Sequence, residues 1–315
     1  MRKIPIIIDG DPGVDDSFAI ALANSCPDFE LVALTAVEGN VPAEKTRLNA
    51  MGLREALDIN CAVAYGAELP LEKAYLSYAE KTHGESGVGT IQWPELKKAP
   101  DDRSAWDLIY EEAVKRKGEL VLIAIGPLTN IALTLRKYPD FPQYLKRFYI
   151  MGGGTFGNVT KQAEFNIWVD PLAAREVFEK LEVHMVGLNV THASALTEKD
   201  FDQMISLCKG ENSAIRLLRD LSVFSKRNSL KSGMDNHIIH DALTVASVMD
   251  SEVVRYEPYY VYVEDKEGME NVGETVIDLA GQSGNQPNCL VAMEVNQPKF
   301  VEMLMEMCRY YATKG

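Results

Sequence analysis

Short apolar runs alternate along this chain with segments of helical period, and that alternation limits the possible folds more than any other feature. Ile4 to Asp9, Leu31 to Val37, Leu120 to Ile125, Phe148 to Met151 and Met185 to Val190 are almost unbroken apolar stretches, as strands buried on both faces are. Helical patterns follow most of them, at Asp15 to Ala23, Pro42 to Leu57, Pro127 to Leu135 and Pro171 to Leu181. Strand and helix in turn make βα units, which predicts an α/β fold, an open, mostly parallel sheet with helices on both faces. From Asn212 the pattern is helical through Met249; Tyr256 to Val263 and Cys289 to Val295 read as late strands, and Gln297 to Ala312 as a closing helix. No repeat or low-complexity linker divides the 315 residues, so 1–315 is expected to be a single domain.

Composition narrows the function. A formal charge of -14 with no basic stripe repels a phosphate backbone, which argues against nucleic acid as a partner and favours small uncharged or cation-bridged ligands. Cys26, Cys61, Cys208, Cys289 and Cys308 are odd in number and lie in or beside apolar runs, as reduced core thiols of a cytoplasmic protein do. Met1-Arg2-Lys3 runs into Ile4 to Ile8 and then Asp9, an apolar run too short and too soon charged for a signal peptide. No apolar run is long enough for a membrane span. Leu76 to Asp101, with Gly84, Gly87, Gly89 and Pro94, has no periodicity and is long for a connection, so it is either a binding loop or lid, or a tolerated surface insertion.

The chemistry concentrates after the first strand, where Asp9, Asp11, Asp15 and Asp16 are packed into eight residues. In a doubly wound sheet that place is the carboxyl edge of a strand, where ligands bind. Helix-dipole stabilisation accounts for Asp15 and Asp16 but not for four acids. Crowded carboxylates repel one another, and a hard divalent cation with oxygen ligands relieves them. An EF-hand loop counted from Asp9 would need Glu at its twelfth position, which is Ile20. A phosphatase of the haloacid-dehalogenase type, with Asp9 as nucleophile and Asp11 as acid, is an alternative. It leaves Pro12, Gly13, Asp15 and Asp16 unexplained.

Asp9-Gly-Asp11-Pro12-Gly13-Val-Asp15-Asp16 resembles the Asp-x-Asp-Pro-Gly-x-Asp-Asp hallmark of the inosine-uridine preferring nucleoside hydrolase family, with every spacing met. Further segments agree in order: Gly39-Asn40; Ile125-Gly-Pro-Leu-Thr-Asn130; Met151-Gly-Gly-Gly154 through Asn158 to Ala163-Glu164-Phe165-Asn166; and His240-Asp241 opening an apolar helical run. His83, in Thr82-His-Gly-Glu-Ser-Gly87, resembles the family's loop histidine, although Val88-Gly89-Thr90 stands where the family often has Leu-Asp-Gly. Gly152 to Gly157 also satisfies the dinucleotide pattern G-x-G-x-x-G, but polar residues follow it instead of an apolar helix opening.

The resemblance implies a Rossmann-like core, homodimeric or homotetrameric assembly, and calcium-dependent cleavage of the N-glycosidic bond of a ribonucleoside into ribose and free base. It implies calcium on Asp11, Asp16, Asp241 and the Ile125 carbonyl, with Asp15 as general base and Asn40 orienting the water. Asn158, Glu164 and Asn166 would hold the ribose, His83 would lie over the base, and His240 would be general acid or hydrogen-bond donor to the departing base. Tryptophan at the place of His240 marks the family's purine-specific branch, so histidine implies the branch with nonspecific and pyrimidine-preferring members. Base contacts are expected around His83 and in Phe224 to His237, where Asn228, Ser229 and Lys231 differ from the tyrosine-rich pattern of some relatives. His184, His192 and His237 match nothing functional and are expected in packing or surface roles.

Overall fold

The computed structural model describes residues 2–72, 78–231 and 236–314. Eight strands form the central sheet: β1 (Ile4–Gly10), β2 (Phe29–Ala36), β3 (Ala62–Tyr65), β4 (Leu120–Ala124), β5 (Leu145–Met151), β6 (Val183–Val186), β9 (Val254–Tyr259) and β12 (Cys289–Val295). Their order is β3-β2-β1-β4-β5-β6-β12-β9, and every pairing is parallel except β12 with β9. Two small antiparallel pairs stand apart, β7 (Leu196–Thr197) with β8 (Asn236–His237) and β10 (Val261–Val263) with β11 (Thr275–Ile277). The helices are α1 (Val14–Ser25), α2 (Ala43–Ala56), α3 (Glu80–His83), α4 (Ala105–Arg116), α5 (Thr129–Lys137) and α6 (Phe165–Val169), then α7 (Pro171–Lys180), α8 (Leu188–Thr191), α9 (Glu198–Leu207), α10 (Ser213–Lys231), α11 (His240–Met249) and α12 (Gln297–Ala312).

The unbroken apolar strands have their cause in two cores. Ile6 and Ile8 of β1, with Val121 and Ile123 of β4, pack with Phe18, Leu243 and Leu304 of α1, α11 and α12. Alternate residues, Ile7, Leu120 and Leu122, face the opposite layer with Leu108, Ile131 and Val177 of α4, α5 and α7. A period of two with both faces covered requires apolar residues at every position. Among the described residues no helix is long and apolar enough to cross a membrane.

Three expected elements differ. The run Met185 to Val190 is strand only to Val186. Gly187 approaches Gly154 so closely that a Cβ on it would lie 2.7 Å from the Gly154 Cα, and Leu188 N–H bonds Gly153 O at 2.9 Å, so the chain leaves the sheet and α8 begins. Tyr256 to Val263 divides at Tyr260, because Asn288 takes the Val261 N–H and donates to its carbonyl, at 2.8 and 2.9 Å. The helical stretch expected from Asn212 to Met249 is two helices separated by β8, with 232–235 outside the described residues. The sequence pattern did not mark α4, α9, β3 or β11. In α4 the buried stripe is Ala105, Leu108, Ile109 and Ala113, half of it alanine, and α9 buries only Phe201 and Met204.

The order of strands reverses between β1 and β4, which leaves a crevice at their carboxyl ends. In open α/β sheets that crevice is where ligands bind. Gly10, Ile125 and Met151 stand at this edge, and α1 starts beside it.

Candidate active site

Nine of the eleven residues singled out in the sequence, Asp15, Asn40, His83, Ile125, Asn158, Glu164, Asn166, His240 and Asp241, line one cavity of about 310 Å3. The other two, Asp11 and Asp16, are fully buried against Asn40, whose N–H donates to Asp11 Oδ2 at 2.6 Å and whose Nδ2 reaches Asp16 Oδ2 at 3.4 Å. Segments far apart in the chain meet here because the ends of β1, β2, β4 and β5 are neighbours in the sheet.

The acids are held but not neutralised. Asp16 caps α1, its Oδ2 accepting from Gly13 N–H at 2.9 Å, and Asp15 Oδ2 accepts from His240 N–H at 3.1 Å. Asp11 Oδ1 and Asp16 Oδ1 are buried with no hydrogen-bond partner. Burial raises Asp15 to about 7 and Asp16 to about 6. Asp11 and Asp241 are raised well above the usual carboxylate range, by burial first and then by the neighbouring acids. Among the described residues no group of three or more acid, histidine or cysteine side chains stands in metal-holding geometry. Even so, three carboxylates with two unpartnered buried oxygens, beside the Ile125 carbonyl, are a donor set suited to a hard divalent cation.

Glycines make room for these oxygens. A Cβ on Gly39 would lie 2.1 Å from Asp11 Oδ2, one on Gly126 2.7 Å from Asp11 Oδ1, and one on Gly10 2.7 Å from Asp16 Oδ1. Gly39→Ala should therefore displace the Asp11 carboxylate and weaken cation affinity by about 10- to 100-fold, as loss of a supporting contact around a ligand does. Calorimetric titration checks this, and unchanged affinity would mean that the Asp11 carboxylate does not depend on this space.

Hydrogen bonds fix which atoms are left for a ligand. His83 Nδ1 accepts from Val14 N–H at 3.1 Å, and burial lowers the ring to about 4, so it is neutral with its proton on Nε2. Burial also lowers His240 to about 3, with His192 and His83 acting in the same direction. Asn166 spends its Nδ2 on Met151 O and Ile125 O, at 3.1 and 3.3 Å, which leaves Oδ1 to accept. Asn158 Oδ1 accepts from Phe165 N–H at 2.9 Å, which leaves its amide protons to donate. Glu164 accepts from the N–H groups of Gly153, Asn166 and Ile167 at 3.0 to 3.2 Å, and burial raises it to about 7.

The stretch after residue 78 reaches the cavity: Ala79, Thr82 and His83 line it, while Leu76 and Ser77 lie outside the described residues. Asn228 Nδ2 holds the loop through Lys81 O and Thr82 O, at 3.0 and 3.1 Å, and Gly89 lies against the Phe224 ring. The side chains of Ser229 and Lys231 lie outside the described residues. Met151, Val159 and Phe165 also line the cavity, and no motif in the sequence marked Val159 as part of it.

Two other readings do not fit. Asp9, the nucleophile of the phosphatase alternative, is fully buried, bonded to Thr35 Oγ1 at 2.5 Å and Asn130 Nδ2 at 2.8 Å, and does not line the cavity. The glycines at 152–154 open no helix; Gly154 packs on the Leu188 backbone, where a Cβ would come within 2.8 Å.

The family model of the inosine-uridine preferring nucleoside hydrolases matches residues 6–302. A non-specific ribonucleoside hydrolase RihC from Klebsiella pneumoniae (strain 342) is 36% identical over 307 residues, 97% of this chain and 98% of that one. A pyrimidine-specific ribonucleoside hydrolase RihA from Salmonella paratyphi C is 36% identical over 312 residues, 98% of this chain and 99% of that one. Among solved structures, a purine-preferring ribonucleoside hydrolase from Gardnerella vaginalis superposes with a TM-score of 0.91 at 30% identity, covering 99% of this chain and 100% of that one. The chain belongs to the inosine-uridine preferring nucleoside hydrolase family and is a ribonucleoside N-glycosidase.

Proposed function

We propose that the enzyme is calcium-dependent and serves nucleoside salvage, splitting ribonucleosides into ribose and free base. The observation that carries this reading is the buried carboxylate cradle, with Asp11 Oδ1 and Asp16 Oδ1 unpartnered, beside a cavity lined by amides and acids. Asp11, Asp16, Asp241 and the Ile125 carbonyl would hold the ion. When bound, calcium supplies the positive charge that offsets the acids and lowers the pKa of a water in the site.

The remaining steps fall to the chain's own groups. Asn158, Asn166 and Glu164 hold the ribose hydroxyls, and Glu164 places negative charge near the oxocarbenium that develops at C1'. Asn40, whose N–H groups are engaged by Asp11 and Asp16, orients the attacking water through Oδ1. Asp15 takes the water's proton as the new C1'–O bond forms, and the electrons of the C1'–N bond leave with the base. His83 offers Nε2–H from the loop. His240 offers a hydrogen bond to the base, which departs as an anion and takes its proton from solvent, while Asp15 returns its proton to solvent.

Product analysis tests the reaction. Uridine or inosine incubated without phosphate should give free ribose and base in equal amounts. A requirement for phosphate, with ribose 1-phosphate as product, would replace hydrolysis by phosphorolysis.

The raised acids also set a pH dependence. The folded, metal-free protein keeps protons on Asp15 up to about 7 and on Asp16 up to about 6, whereas an unfolded Asp has lost its proton above 3.8. Between those values the contribution of these groups to stability falls as pH rises, and the proton on Asp16 competes with the cation for the same oxygens. The rise in Tm on adding calcium should therefore be larger at about pH 8 than at about pH 5. Equal rises would place the binding oxygens elsewhere.

We take 1–315 as one domain and expect a homodimer or homotetramer, which light scattering measures. The described cysteines are all free, which fits the cytoplasm as its compartment.

A further inference from the structure

His240 is held from behind by a residue outside every motif so far used. Its Nδ1 lies 2.8 Å from Thr191 Oγ1, and Thr191 is completely buried at the end of α8. Its backbone N–H is fixed on Asp15 Oδ2 at 3.1 Å. The ring of His192 stands beside it, centroid to centroid 5.8 Å, and is itself met edge-on by Phe156 at 5.1 Å. Among the described residues no hydrogen bond engages Nε2, so that nitrogen is the one His240 has for a ligand in the cavity it lines.

We propose that Thr191 is a positioning residue for departure of the base: its hydroxyl holds His240 by Nδ1, so that Nε2–H is presented to the leaving nitrogen or oxygen. The proposal rests on the reading of His240 given above. A hydroxyl carries one proton and can donate to a bare ring nitrogen, which leaves the imidazole proton on the other nitrogen. In this proposal the Thr191 proton goes to the 2.8 Å contact with the ring and not to the 3.4 Å contact with Leu188 O.

The position of Thr191 is in turn set by the ribose side of the site. Leu188 N–H bonds Gly153 O at 2.9 Å, and Gly153 N–H bonds Glu164 Oε2 at 3.0 Å. The short helix α8 thus starts on the same glycine loop that anchors a ribose-holding acid, and it ends on the group that orients the base-holding histidine.

A hydroxyl at a helix end also back-bonds to its own carbonyls, so the test must move something that a packing role leaves alone. Thr191→Val keeps the shape and removes the hydroxyl, Thr191→Ala removes it in a second context, and Thr191→Ser restores it. Each is assayed on uridine and on p-nitrophenyl riboside, whose leaving group needs little hydrogen-bond help. His240→Ala is the reference, and Tm is recorded for all. The expected result is a fall in kcat of about 10- to 100-fold on uridine for Thr191→Val and Thr191→Ala, as for loss of a supporting bond to a functional histidine. The p-nitrophenyl riboside should be spared, and Thr191→Ser should recover uridine turnover. If His240→Ala slows uridine selectively while Thr191→Val slows both substrates alike or neither, the proposal is overturned and the role of His240 stands. If His240→Ala itself slows both alike, the reading of His240 fails and this proposal fails with it.

Discussion

Asp241→Ala is expected to lose calcium and turnover together. Asp241 stands in the first turn of α11 near the other acids; burial first, and then Asp16, Asp15, Asp11 and Glu164, hold its carboxyl far above the ordinary range. A carboxyl so placed weakens the metal-free fold, because each acid added to a buried cluster raises the cost of the others' charges. Removing it should leave the chelated protein at least as resistant to heat as the parent, whereas removing a structural group would lower Tm. Without the third carboxylate the ion has too little negative charge to offset its dehydration. Loss of Lewis-acid assistance worth several kcal/mol corresponds to a rate loss on the order of 10³ or more. Metal analysis after gel filtration should find calcium in the parent and none in the variant. A variant that retained calcium but was thermally weakened would show Asp241 to be a packing residue. Asp11→Ala and Asp16→Ala should lose calcium in the same way.

Asp15→Asn should keep calcium and lose turnover by about 10² to 10⁴, the usual worth of general-base assistance. The amide keeps the size of the side chain, and its Oδ1 can still accept the His240 N–H, so the geometry at the start of α11 is preserved. It cannot take a proton from water at neutral pH. The separation from its neighbours is visible in the fold: Asp15 lines the cavity, while Asp11 and Asp16 are fully buried beside it, each with one unpartnered oxygen. Comparison with Asp11→Asn makes the test specific. Should Asp15→Asn change only KM while Asp11→Asn keeps the ion and loses kcat, the base is Asp11 and Asp15 holds substrate.

Asp11, Asp15, Asp16, Asn40 and Ile125 of the candidate site were legible in the sequence because each sits in a short segment at a strand end, where the backbone must turn and the side chains are few. Asp9 to Asp16, Gly39-Asn40 and Ile125 to Asn130 are such segments, and parallel order alone makes them neighbours. The sheet was legible for a similar reason, since two-sided burial leaves continuous apolar runs at β1, β2 and β4. What escaped is what depends on contacts distant in sequence. The run Met185 to Val190 is apolar throughout, and nothing local shows that Gly187 must stop against Gly154. Thr191 and Val159 have ordinary neighbours in the sequence; only the fold brings the first to His240 and the second to the cavity. His192, expected in a packing or surface role, is exposed and meets Phe156 edge-on, yet it also stands beside the His240 ring.

The central claim is that ribonucleoside hydrolysis here requires calcium held by Asp11, Asp16, Asp241 and Ile125. Ribose release from uridine and inosine, measured on enzyme stripped by a chelator and again after calcium is restored, tests it most directly. The account predicts that release stops on stripping and returns with calcium in proportion to the ion bound. Full activity in the stripped enzyme would contradict it.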